Sequence, residues 1–179
     1  IAENFRFITR FLKFYGVKKV DGVLADLGVS SHQFDEKDRG FSTRFDGDLD
    51  MRMNQSSMLS AKKVVNEYDE AKLADVLYWY GELRNARAMA KTIVAAREDK
   101  EIVTSFELRQ VLKRFLPKMK EFKILAQIYQ AVRIEVNEEL EVLKEFLNQI
   151  PGLLTEEGRL SVISYHSLED RLVKRFIRT

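Results

Sequence analysis

Apolar residues in the first stretch of the chain recur at helical spacing. Phe7, Phe11, Leu12 and Phe14 fall largely on one side of residues 4–15, and Gly16 follows where a left-handed closing residue belongs. A short apolar run at 19–26 reads as a strand. Residues 30–54 then show several Gly and Asp and no sustained period, which is long for a structureless connection and so marks a functional segment. Four helical patterns come next. Ser60 starts one running to Tyr68, Asp69 starts another through Leu73, Val76 and Leu77, and Asn85 leads a third through Met89, Ile93 and Val94. Thr104 and Glu107 have the spacing of a capping box ahead of Leu108, Val111, Leu112 and Phe115.

The longest helix is expected over 123–148, ended by Pro151-Gly152. Within it Val132, Val136, Leu140, Leu143 and Leu147 fall in an arc of about 80°, a stripe for packing on a core. Gln130, Arg133 and Asn137 occupy a neighbouring arc of about 60°. A solvated face would be richer in Lys and Glu, so these three are expected to face a site. Gly158-Arg159 leads a second strand, 160–165, and the residues from His166 to Asp170 open a last helix.

Two strands so far apart in sequence cannot alone cover both faces of a core. The pattern therefore predicts an α/β fold, a doubly wound sheet whose early strands lie before Ile1, interrupted by an inserted all-helical module at about 33–120. The expected segmentation is 1–32, 33–120 and 121–179, with the first and last segments belonging to one domain. The chain begins at Ile1 and stops at Thr179 inside the helical pattern of Leu168, Leu172 and Phe176, so both ends are expected to be cut.

Composition narrows the chemistry. With 179 residues, 45% hydrophobic and 32% charged, the chain has no apolar run near the roughly 20 residues that span a bilayer. It has no cysteine, which removes disulfide frameworks, thiolate zinc sites and thiol nucleophiles. A net charge of +2 and a pI near 8.7 are too mild to announce a nucleic-acid partner by charge alone. No secretory leader is visible.

The sharpest motif is DLGVSSHQ at 26–33, which puts the carboxylate of Asp26 where a buried strand surfaces. Ligands of open α/β sheets sit beyond the carboxyl ends of strands, so Asp26 is a ligand-site candidate. A plain strand-to-loop turn, with Gly28 supplying a positive φ, explains the same residues. If the two strands are parallel neighbours, residues 26–31 lie beside residues 164–167 at one crevice, and Ser167 and His166 join the site. His166 is one of only two histidines, and a lone histidine is ordinarily a hydrogen-bonded structural residue. RGFS at 39–42 and DGDLDMRM at 46–53 mix arginines with acids, as a lid over the crevice or as a turn-rich loop tied by local ion pairs. Tyr78, Trp79 and Tyr80 offer base-stacking rings or ordinary core. Arg171, Lys174, Arg175 and Arg178 suit phosphates or simply a solvated helix face. No spacing suggests a metal site, and neither a P-loop nor a nucleophile elbow is present.

Taken together, DLGVSS with Gln33, RGFS, DGDLDMRM, YGE (80–82), YQAVRIEVNEEL (129–140) and GRLSVISYHSLEDRLVKRF (158–176) resemble, in order, the bacterial RsmH (MraW) family of S-adenosylmethionine-dependent 16S ribosomal RNA cytosine-N4 methyltransferases. The resemblance implies a Rossmann-like methyltransferase domain interrupted by a helical substrate-recognition domain, acting in the cytoplasm on small-subunit rRNA. By position it implies Phe5, Asp26 and Gln33 as cofactor contacts. The family's glycine-rich loop and second-strand acid have no counterpart here and are expected before Ile1. This stretch alone would then lack the ribose and methionine contacts and is expected to be inactive by itself. Expected substrate contacts are Arg39, Arg52, Gln130, Arg133, Asn137 and Ser167. Acceptors for the amino protons of the target base are Asp50, His166 or the loop carbonyls at 28–30. Ile124-Leu125-Ala126-Gln127 and Tyr129 depart from the family pattern, and His32 stands where proline is common. A non-catalytic RNA-binding or ribosome-assembly module is the competing expectation.

Overall fold

The computed structural model describes residues 3–30 and 37–178. Asn4 caps the first element, its side chain accepting from the Arg6 amide, and a 3₁₀ turn over Phe5–Phe7 leads into α1, Ile8–Phe14. Gly16 follows at φ +73°, the left-handed closure expected from the sequence. Strand β1, Val20–Asp26, pairs in parallel with β2, Leu154–Ile163, in a two-stranded sheet with Val23 opposite Leu160 and Asp26 opposite Ile163. β2 starts six residues before the expected 160 and ends at Ile163, so Ser164 and Tyr165, read as strand, lie past its end.

The helical patterns between the strands form as read. They are α2 (Ala61–Glu67), α3 (Glu70–Trp79), α4 (Ala86–Asp99) and α5 (Ser105–Val111). Ser60 and Asp69 accept from backbone amides three residues on, and Thr104 with Glu107 completes a capping box. Asn85 stands at the start of α4 without a side-chain cap bond.

The expected long helix is two. α6 runs Glu121–Asn137, Glu138 takes a left-handed conformation at φ 50°, and α7 runs Glu139–Leu153. The apolar stripe was continuous across the break, so periodicity carried no sign of it. Pro151 does not end α7 but sits inside its last turn, where the chain turns into β2 only after Leu153. α8, Ser167–Arg178, closes the described chain.

The chain divides into two compact units. One takes the residues up to Gly28 and those from Glu138 onward; the other is Val29–Asn137. In the first, Phe146, Leu143 and Ile150 of α7 are buried with Leu27, and Val23, Leu160 and Leu172 pack on them. In the second, the core is helical, with Leu73, Leu77, Ile93, Leu108, Leu125 and Ile128 essentially without exposure. Each helix turns its apolar stripe inward because burial of a large aliphatic side chain is worth about 1.5–3 kcal/mol. Among the described residues no helix is long and apolar enough to cross a membrane.

Candidate functional site

In the strand-bearing unit the parallel register brings the end of β1 against the residues just after β2. The Leu27 amide donates to the Ile163 carbonyl at 3.1 Å, extending the ladder one residue past the strand. Beyond it the Tyr165 hydroxyl donates to Asp26 Oδ1 at 2.9 Å. Gly28 sits at φ +80°, a conformation that calls for glycine, and a Cβ there would stand a tight 3.3 Å from the Tyr165 ring. The expected meeting of the two strand tips is therefore met at Asp26 and Tyr165. The hydrogen bond to Asp26 raises the Tyr165 phenol above its ordinary pKa, which keeps the proton on the donor.

The first turn of α8 anchors this corner. Glu169, 3% exposed, accepts from the Tyr165 amide at 2.9 Å and the His166 amide at 3.4 Å. The His166 carbonyl takes the first helical bond, from the Asp170 amide, and Nδ1 receives the Glu169 amide at 3.5 Å. The arrangement is a capping box with histidine in the place of serine or threonine. Burial pushes the Glu169 carboxyl upward, but the bonds from His166 and the Tyr165 amide outweigh it, and its pKa lies below the ordinary value.

Glu139, His166 and Glu169 bring one ligand-type atom each within 4.8 Å of one another, the group among the described residues with the spacing to hold a metal ion. Both carboxylates lie in first turns of helices, where the helix dipole favours an anion and opposes a cation. His166 turns Nδ1 to the Glu169 amide, and its Nε2 stands 3.3 Å from Glu169 Oε1. The cluster is explained as helix-start chemistry. Glu139 and Glu169 were missed in the sequence; the His-x-x-Glu spacing at a helix start was the available signal for Glu169. Phe5, 41% exposed, sets its ring edge-on to Phe146 at 5.3 Å between centroids. Ser167 is the first residue of α8. Gln33 lies outside the described residues.

In the helical unit the acidic and arginine-bearing loop is built in rather than hanging free. Leu49 and Met51 are fully buried, and Asp48 bridges to Thr104. Gly40, at φ +69°, leaves no room for a Cβ against the Asp48 carbonyl. Asn137 ties the loop to α6: its Oδ1 accepts from the Met53 amide at 2.7 Å, and its Nδ2 donates to the Met51 carbonyl at 2.8 Å. Arg52 donates to Asp50, to the Gln55 carbonyl at 2.9 Å and to the Ser57 carbonyl at 2.8 Å, while Arg39 donates to the Arg52 carbonyl. Gln130 and Gln127 hold the YGE turn through the Tyr80 and Gly81 carbonyls, both at 3.0 Å. Tyr129 buries its ring and donates to the Ser105 carbonyl at 2.8 Å; burial pushes its phenol up to about 12. Arg133 lies on α6 one turn before Asn137, its carbonyl accepting from the Asn137 amide group. Tyr78 and Trp79 are not core: they are 51% and 63% exposed and pack edge to face at 4.9 Å.

A parallel strand pair ending in an acid and a glycine turn, within many helices, makes this a mixed α/β protein compatible with a methyltransferase fold. The model of the MraW methylase family matches residues 1–179, and the chain belongs to that family. Among curated proteins it is similar to the ribosomal RNA small subunit methyltransferase H of Flavobacterium psychrophilum, 64% identical over 99% of this chain and 61% of that protein. The same-named protein of Christiangramia forsetii is 63% identical over 100% of the chain and 59% of its own length. That of Phocaeicola vulgatus is 52% identical over the same shares. The chain thus spans about three-fifths of the length of the curated relatives it matches.

Proposed function

We propose that the whole protein is an S-adenosylmethionine-dependent methyltransferase that modifies the exocyclic N4 of a cytidine in 16S ribosomal RNA of the small subunit, in the cytoplasm. The observation that carries this reading is the strand-tip corner: a family member presents an exposed carboxylate, Asp26, at the carboxyl end of a parallel strand, beside a glycine turn at positive φ. These residues fit a nucleoside cofactor, since a carboxylate accepts its N–H or O–H donors and the half-exposed Phe5 offers an apolar ring in the same unit. Gln33 is proposed as the third cofactor contact. When bound, the donor supplies an electrophilic sulfonium methyl.

A cytosine amine is a weak nucleophile because its lone pair is delocalised into the ring. This chain has to hold the amine in line with the methyl and aim acceptors at its N–H groups. Of the acceptors considered, Asp50 is bound to Arg52 and His166 is committed to the start of α8, which favours the loop carbonyls at 28–30. The target atom lies on a base edge, so the nucleotide must be single-stranded or flipped. We assign RNA recognition to the inserted helical domain. Arg39 and Arg133 there, and Ser167 of the strand-bearing unit as a further contact, are proposed to touch the RNA, while Arg52, Gln130 and Asn137 shape the recognition surface through their bonds to backbone groups.

Calorimetry on the full-length protein is expected to show S-adenosylmethionine uptake, weakened by at least about 1 kcal/mol in Asp26→Ala. Wild-type affinity in that variant refutes the Asp26 assignment. No uptake by the wild type refutes the enzyme and leaves a non-catalytic RNA-binding or assembly module.

A further inference from the structure

Tyr165 falls in the stretch 164–167 expected beside Asp26 but was given no role there, yet it is the residue that touches Asp26. Its position is fixed from three directions. Its amide is held at 2.9 Å by Glu169, a buried carboxylate that the first turn of α8 keeps ionised. Its ring lies against Gly28, 3.3 Å from where a Cβ at that position would stand. Its hydroxyl donates to Asp26 Oδ1 at 2.9 Å. The residue that fixes Asp26 is thus itself fixed by a helix start and a glycine turn.

We propose that Tyr165 is a positioning residue of the methyl-donor site: by holding Oδ1 it sets the Asp26 carboxylate so that Oδ2 accepts an N–H or O–H donor of the nucleoside cofactor. The proposal rests on the reading of Asp26 as a cofactor contact. An aspartate at a strand tip has three staggered χ1 wells and a two-fold χ2, and a ligand that needs one arrangement otherwise selects it from the others. Pre-setting it removes that ordering cost, which makes the expected gain in donor affinity about three- to sixfold. The phenol suits the task because it donates one hydrogen bond without adding a charge that would compete with a cationic donor. Phenylalanine at the same position would keep the ring over Gly28 and lose only the hydroxyl.

The test compares wild type, Tyr165→Phe and Asp26→Ala in the full-length protein, with calorimetry against S-adenosylmethionine and S-adenosylhomocysteine and steady-state methylation of small-subunit RNA. In Tyr165→Phe the donor Kd and KM are expected to rise about three- to sixfold. The kcat at saturating donor, the KM for RNA and the melting temperature without ligand stay at their wild-type values. Wild-type donor affinity in Tyr165→Phe, alongside a loss in Asp26→Ala, overturns this proposal alone. Wild-type affinity in both variants overturns it together with the reading of Asp26. A parallel fall in melting temperature and RNA affinity in Tyr165→Phe also overturns it, because the hydroxyl would then be supporting the fold.

Discussion

Asn137→Ala removes the amide that joins the loop around Met51 to α6. Two hydrogen bonds to the loop disappear, one accepted from the Met53 amide at 2.7 Å and one donated to the carbonyl of Met51 at 2.8 Å. Each is worth about 0.5–1.5 kcal/mol net, and leaving polar groups of this partly buried segment unsatisfied adds about 1–3 kcal/mol. Met51 also holds a left-handed φ of 55° that its surroundings must enforce. Alanine returns about 0.5 kcal/mol of helix propensity at the end of α6. The net expectation is a loss of about 2–3 kcal/mol, concentrated in the loop. Hydrogen exchange on the full-length protein reads this directly: protection of the Met53 amide should fall by roughly 30- to 150-fold if opening of the loop becomes easier by that amount. Asn137→Asp keeps the acceptor for Met53 and loses the donor to Met51, so its protection should fall between the two. Unchanged exchange at Met53 in the alanine variant would show that Asn137 does not hold the loop.

Two further outcomes concern helix starts. Glu169 has a depressed pKa, so its charged form adds stability above the ordinary carboxylate value of 4.5, and that stability drains as pH falls through the lower folded value. Glu169→Gln should be less stable than wild type at neutral pH, with the gap closing below about pH 4.5 in urea titrations; a gap independent of pH refutes the assignment. At the capping box of α5, the bond from Lys100 and those from the Val103 and Thr104 amides hold Glu107 down to about 2. Thr104→Ala should cost about 1 kcal/mol at pH 7 by chemical denaturation, and a loss under about 0.3 kcal/mol would mean that the cap is already satisfied by water.

Helices α2, α3 and α5, and the 3₁₀ turn before α1, were legible because their start signals are local: Asn4, Ser60, Asp69 and Thr104 each bond to amides within the next turn. The break at Glu138 was not, since a single left-handed residue leaves the apolar stripe intact on both sides. Asp26 could be placed at a strand end from the run before it. Tyr165 could not be chosen as its partner, because that contact depends on a parallel register between segments separated by the whole helical unit. Arg52 and Asn137 look like free polar groups in the sequence, and only the fold shows that they bond to carbonyls and amides of the loop. The exposure of Tyr78 and Trp79 ran against the usual fate of aromatic residues at helical spacing.

Trp79 is the single tryptophan of the chain, and it stands 63% exposed at the end of α3. Intrinsic indole fluorescence from this stretch is therefore a built-in optical reporter of the unit formed by residues 29–137. A soluble quencher, or a nucleobase settling on the ring, would change that emission without any label being attached.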